Sequence, residues 1–249
     1  MRLIFIRHGD PDYVNDSLTE TGFIEADLLA ERMAKEKIDE IYVSPRGRAK
    51  ATAEPTLKRL NREAVELKWL REFEARIHRP DAPEDVRVID WDWLPKEWTS
   101  YDDFYDYDKW YNHPVMLEAG SGDEFKWVTE EFEKFLAEHG YVRENGYFRV
   151  TKASNDTIVF FCHYGLTVVL LSYLFHVSPM ILWHGFAAAP TSVTTVYTEE
   201  REKGYASFRV SAYGDISHLY VAGRKPSFSA RFCECYDNVN ERHTWNVNK

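Results

Sequence analysis

The stretch Leu3-Ile4-Phe5-Ile6-Arg7-His8-Gly9 decides the fold of this chain. Its run of branched and aromatic residues predicts a short strand buried on both faces, the kind found inside parallel sheets. The strand ends on an arginine and a histidine, and Gly9 lets the chain turn sharply away. In open α/β sheets, ligands bind in the crevice beyond the carboxyl ends of the strands. A guanidinium and an imidazole placed there suit a phosphate ester: one holds its oxygens and the other can attack its phosphorus.

Two later junctions supply partners. The apolar run Ile41-Tyr42-Val43 leads into Ser44-Pro45-Arg46-Gly47-Arg48-Ala49. Ser44 as N-cap and Pro45 in the first turn predict a helix starting there, with Arg48 directed back toward the strand ends. Thr157-Ile158-Val159-Phe160-Phe161 reads as another buried strand, followed by Cys162-His163-Tyr164-Gly165 and an apolar helix through Phe175. Arg7, His8, Arg48 and His163 can then meet at one end of one sheet.

In this order the pieces resemble the histidine phosphatase superfamily, also called the phosphoglycerate mutase-like family. The matching residues are Arg7-His8-Gly9, Leu18 to Gly22, Ser44-Pro45 through Thr52-Ala53, Leu70-Arg71-Glu72, His163-Tyr164-Gly165 and a closing segment from Gly214 to Leu219. The resemblance implies an α/β fold: a three-layer α/β/α sandwich with a mostly parallel central sheet and helices on both faces. It also implies phosphoryl transfer through a phosphohistidine on His8. Arg7, Arg48 and His163 would clamp the phosphate, joined by backbone N–H groups from Tyr164 onward. Glu72, the acid of the family's Leu-x-Glu motif, would protonate the leaving oxygen; Asp10 and Glu74 are the alternatives.

The residue types suit that chemistry. Histidine attacks only when neutral, and two arginines beside His8 disfavour a third cation. Charge on the moving phosphoryl group spreads over three oxygens, so positioning and electrostatics dominate. A carboxyl near a bound phosphate has the raised pKa that an acid needs. The scheme requires no metal and no cofactor, and the chain shows no convincing metal-ligand spacing.

Composition fits one soluble enzyme. The 249 residues suffice for one large core, and 44% hydrophobic content is ordinary. The first core strand begins at residue 3, so a cleavable signal is not expected, and no apolar run reaches membrane-spanning length. Cytoplasmic residence is the expectation. With 41 acidic against 31 basic residues, neither nucleic acid nor anionic lipid is an expected partner. Cys162 is expected to pack in the core, and Cys233 and Cys235 are too few and too close for a disulfide framework.

A single domain over residues 1–249 is expected. Thr19 would cap a first helix reaching Lys37, with Phe23, Ala26, Ala30 and Met33 as its apolar stripe. Glu66-Leu67-Lys68 reads as a short strand, and residues 75–140 as an insertion or cap. That segment holds a helix from Asp123 to Gly140, with Phe125, Val128, Phe132, Phe135 and Leu136 on one side. Thr191–Tyr197 and Tyr205–Ala212 read as a hairpin at or near the sheet edge. A tail occupies about 224–249. Residues 90–111 alternate Trp91, Trp93, Trp98 and Trp110 with other aromatics and six aspartates. Packing explains such a stripe; as a cap it would repel a second anion and favour neutral or aromatic leaving groups, with His78, Arg79 and His113 as polar contacts.

The reading is a phosphatase acting on a small-molecule phosphomonoester, with inorganic phosphate as product. A phosphoglycerate mutase is the alternative, opposed by the acidic insertion and by Pro11, which stands where a hydroxyl residue often contacts phosphate. An inactive binding scaffold is the third possibility.

Overall fold

A computed structural model describes residues 1–229 of the chain. The chain opens with β1 (Arg2–Arg7), the two-residue strands β2 (Pro11–Asp12) and β3 (Ser17–Leu18), then α1 (Glu20–Met33), β4 (Glu40–Val43) and α2 (Gly47–Leu60). Next come β5 (Val65–Glu66), the ribbon β6 (Arg76–Ile77) and β7 (Val88–Ile89), and helices α3 (Pro95–Trp98), α4 (Pro114–Ala119) and α5 (Ser121–Glu138). It closes with β8 (Tyr141–Glu144), β9 (Tyr147–Val150), β10 (Thr157–Cys162), α6 (Tyr164–Phe175), α7 (Pro179–Gly185), β11 (Val193–Glu202), β12 (Tyr205–Asp215) and α8 (Ser217–Val221).

The main sheet has eight strands in the order β5-β4-β10-β1-β11-β12-β9-β8. Pairing is parallel from β5 to β1 and antiparallel from β1 to β8. The strands that carry the expected site are thus the parallel ones. Side chains alternate across a strand, and β1 feeds two cores. Leu3 and Phe5 join Phe132, Phe135, Phe160 and Val169 beneath α5 and α6. Ile4 and Ile6 join Leu29, Met33, Ala49, Ala53 and Phe161 beneath α1 and α2. Burial on both faces explains why β1 and β10 read as unbroken apolar runs, and the result is the expected α/β/α layering. No helix among the described residues is long and apolar enough to cross a membrane.

Local differences have physical causes. Helix α1 starts where Thr19 predicts, its side chain accepting from Gly22 N at 3.1 Å, but Phe23 is 45% exposed and Glu25 takes the buried face. Helix α2 begins at Gly47, later than Ser44-Pro45 suggests, because the Ser44 hydroxyl is engaged elsewhere. Glu66 ends β5, and a 3-10 turn from Lys68 to Leu70 follows it. The β11–β12 hairpin lies inside the sheet, with β8–β9 outside it. Asn145, at φ 53, and Gly146 turn that outer hairpin, an Asn-Gly signal absent from the sequence-based expectations. Cys233, Cys235, His243 and most of the tail lie outside the described residues.

Candidate active site

Register assembles the site. In the parallel pair, Arg7 stands level with Cys162, so His8 and His163 leave adjacent strand ends together. Their rings sit 5.2 Å apart, edge to face. Strand β4 pairs Val43 with Phe161, which sets Ser44 level with Cys162. The Ser44 hydroxyl lies 2.7 Å from His163 Nε2 and accepts from Arg46 N, so it orients an imidazole and does not cap α2. Gly9 is needed where it stands: a Cβ there would meet Gly22 O at 2.8 Å. Its N–H donates to Thr52 Oγ1 at 2.9 Å, tying the turn to α2.

The imidazole of His8 is held in one orientation. Nδ1 lies 2.7 Å from Gly9 O, which makes it the N–H donor and leaves the Nε2 lone pair without a partner among the described residues. Burial, then Arg7 and Arg48, hold this imidazole well below its usual pKa. Burial, then His8 and the guanidinium groups of Arg48, Arg46 and Arg7, do the same to His163. Both rings are therefore neutral near pH 7.

Cation density is high and incompletely satisfied. Arg7 Nη1 donates to Ala188 O at 2.5 Å and to Ser229 O at 3.1 Å. Arg48 Nη1 donates to Asp16 Oδ1 at 2.8 Å. Yet Arg7 Nε, Arg48 Nε and His163 Nδ1 are buried without hydrogen-bond partners among the described residues. Buried polar groups are nearly always paired, so such unpaired nitrogens are suited to an incoming oxyanion.

Glu72 stands opposite. Its Oε1 accepts from Phe73 N and Leu166 N, each at 2.9 Å, while Oε2 has no hydrogen bond among the described residues. Burial raises this carboxyl above its usual range, against the opposing pull of those N–H groups and the two guanidinium groups. Gly165 permits the packing: a Cβ there would meet Trp91 Nε1 at 2.6 Å and Glu72 Oε1 at 2.9 Å. The alternative acids are committed elsewhere. Asp10 Oδ2 accepts from Thr19 Oγ1 at 2.8 Å, and Glu74 is ion-paired with Arg46.

A cavity of about 540 Å³ opens here, lined by Arg7, Arg48, Glu72 and Tyr164 from the expected set. His8 and His163 are not on its wall; they are 2% and 0% exposed. Tyr164 turns its hydroxyl away, donating to Trp183 O and Phe186 O at 2.8 Å, so only its backbone is free to serve an anion. Tyr13, Asp16, Arg46, Glu74, Arg76, Ile89, Trp91 and Asp92 complete the lining. Cys162, next to His163, is fully buried; its sulfur lies 3.5 Å from Thr167 Oγ1 and burial pushes the thiol up to about 12. No metal-holding cluster of His, Cys, Asp or Glu occurs among the described residues.

The insertion is mostly core. Trp93, Phe104 and Trp110 are buried, Arg79 is buried against Asp81 and Asp92, and His113 caps α4. The ring of His78 lies 3.2 Å from Pro83 O. Of the aspartates in residues 90–111, only Asp92 lines the cavity. The packing reading of this stripe therefore holds, and the alternative of a ring of repelling carboxylates at the mouth does not. Sequence reasoning missed Asp16, Ser44 as a histidine partner, and Glu25, whose buried carboxylate accepts from Asp10 N and Ser227 N.

Similarity to known proteins agrees with this geometry. The chain is 22% identical over 234 residues to phosphoserine phosphatase 1 of Hydrogenobacter thermophilus, covering 90% of this chain and 99% of that protein. A second protein of that bacterium, named "Putative phosphoserine phosphatase 2", is 36% identical over 81 residues, 29% of this chain and 40% of the relative. The fold matches a histidine-to-alanine mutant of phosphoserine phosphatase from Entamoeba histolytica, solved with phosphoserine, at a TM-score of 0.56 and 19% identity, over 88% of this chain and 98% of that one. The sequence pattern of one enzyme family matches residues 3–210, from the first strand into β12. The chain belongs to the histidine phosphatase superfamily, branch 1.

Proposed function

We propose that the chain hydrolyses a small phosphomonoester through a phosphohistidine on His8, without a metal. The observation that carries this reading is the convergence of two neutral imidazoles and two buried guanidinium groups with unpaired nitrogens opposite a carboxyl of raised pKa. His8 Nε2 attacks phosphorus, and the bond to the leaving oxygen breaks. Arg7, Arg48 and His163 hold the three equatorial oxygens, and Glu72 passes its proton to the leaving alkoxide. Water then attacks the phosphohistidine, Glu72 takes back a proton, and phosphate departs from a regenerated His8. The relatives named for phosphoserine phosphatase activity make small phosphorylated metabolites the first substrates to assay.

Rapid quench with labelled phosphomonoester tests the mechanism. The wild type should yield an acid-labile, base-stable phosphoprotein, and folded His8→Ala should yield none and turn over no substrate. Full turnover by folded His8→Ala overturns the reading. EDTA should leave the rate unchanged; inactivation reversed by a divalent ion would remove the metal-free scheme.

A further inference from the structure

Of the non-glycine residues with positive φ among the described residues, only Thr191 is β-branched, and it is fully buried. A β-branched residue at φ 57 is costly and persists only where its surroundings over-determine it. Ser192 N donates to Ala189 O at 3.0 Å, closing a turn with Pro190 second and Thr191 third, a place that ordinarily takes glycine or asparagine. The hydroxyl accounts for the threonine. It donates to Pro190 O at 2.7 Å and, with its one proton spent, accepts from His218 Nε2 at 3.0 Å. His218 Nδ1 is buried without a hydrogen-bond partner among the described residues, which suits a neutral ring with its proton on Nε2. That ring comes from α8, which follows Asp215, ion-paired with Arg32 of α1 at 2.7 Å.

The turn grips Arg7 and His8. Thr191 N donates to His8 O at 3.1 Å, Ser192 O accepts from Arg7 N at 3.1 Å, and Ala188 O accepts from Arg7 Nη1 at 2.5 Å. Cys162 O accepts from His8 N at 3.0 Å, so the His8 backbone is held between β10 and the turn. From this chain of contacts we infer that Thr191 and His218 are positioning residues for His8. The imidazole of His218 holds the Thr191 hydroxyl, the hydroxyl holds the strained turn, and the turn sets where the His8 ring points. The inference rests on the phosphatase reading and adds to it two residues that do not line the cavity. Packing alone would be served by glycine at this φ without strain. A threonine there couples the turn to a ring 27 residues away, and the turn's bonds end on the two residues that the proposed attack uses.

Rapid quench on the wild type, His218→Phe, Thr191→Val and the double variant tests it. Phenylalanine keeps a ring and removes the donor, while the Thr191 hydroxyl still donates to Pro190 O, so the change leaves no buried N–H unpaired. His218→Phe should slow phosphohistidine formation by roughly 10- to 100-fold, the upper figure being the cost of a misplacement of about 1 Å. The loss should be equal for p-nitrophenyl and alkyl phosphates, since His8 attacks both, and vanadate should still fill every site. Thr191→Val should lose as much, and the double variant no more than either, because both cut one path. His218→Gln, whose amide N–H reaches about as far as Nε2, should recover most of the rate. Circular dichroism checks each fold, and His218→Phe against His218→Gln decides if Thr191→Val unfolds. An unchanged rate in His218→Phe, losses that multiply in the double variant, no recovery in folded His218→Gln, or a wild-type rate per site with fewer vanadate-binding sites overturns this inference and leaves the phosphatase reading intact. Absence of any phosphohistidine in the wild type removes both.

Discussion

Glu72 illustrates how one side chain obtains a working protonation state. Burial raises its pKa, and the N–H groups on Oε1 leave Oε2 for the proton. The proposed mechanism needs His8 neutral and Glu72 protonated. The acid limb of kcat/KM therefore follows His8, displaced below the usual imidazole range, and the alkaline limb follows Glu72, displaced above the usual carboxylate range. Glu72→Gln should abolish the alkaline limb and lower kcat by about 10²–10⁴ for esters with poor leaving groups, but less for p-nitrophenyl phosphate. Asp16 poses a different question, since it occupies the guanidinium that the proposed mechanism gives to phosphate. Asp16→Asn should tighten inhibition by phosphate or vanadate several-fold; weaker inhibition would assign Asp16 to positioning Arg48. The convergence of Arg7, His8, Arg48, Glu72 and His163 was legible in the sequence because each adjoins a strand end or lies in a short motif. Asp16 was not, because it reaches Arg48 across 32 residues from a loop where its own φ is 46°. Ser44 was legible as a helix cap, and a neighbouring strand's histidine claimed it instead.

At the scale of elements, parallel register does most of the assembly. Strands β4, β10 and β1 end level, so three loops deliver their polar residues to one place without any long connection. Helix α6 adds Leu166 N to Glu72, and Gly165 leaves room for that contact. Gly165→Ala, ordinarily favourable in a helix, should here lower kcat and cost about 1–3 kcal/mol in chemical denaturation, since the methyl overlaps Trp91 and Glu72. A stabilised, fully active Gly165→Ala would show that the contact relaxes freely. The buried strands and α5 were readable from apolar runs and helical period. Strand order was not, since pairing across the sheet joins residues far apart in sequence. That is why the β11–β12 hairpin, readable as a unit, came to lie inside the sheet.

Across the whole molecule, burial lowers the pKa of several histidines, including His184 and His218, each to about 4. The folded state then binds fewer protons than the unfolded chain between their ordinary value and pH 4. Stability from these groups is full above about pH 6.5 and declines as pH falls toward 4. The Tm should drop by several degrees between pH 7.5 and 5, and His218→Asn should flatten that slope; a Tm rising on acidification would mean that the buried carboxyls dominate. The insertion's composition was legible, but its placement was not: its aromatic rings joined the main core and left only a short wall at the mouth. The thiol of Cys162 offers a clock for motions of this assembly. It adjoins His163 yet is sealed from solvent and protonated, so alkylation must wait for the sheet to open. Peptide-resolved labelling of Cys162 should take far longer than that of a solvent-accessible thiol. Saturating vanadate should slow it further, in proportion to one plus the ligand concentration over its Kd. The labelling half-life would then count openings of the layer that holds His8 and His163.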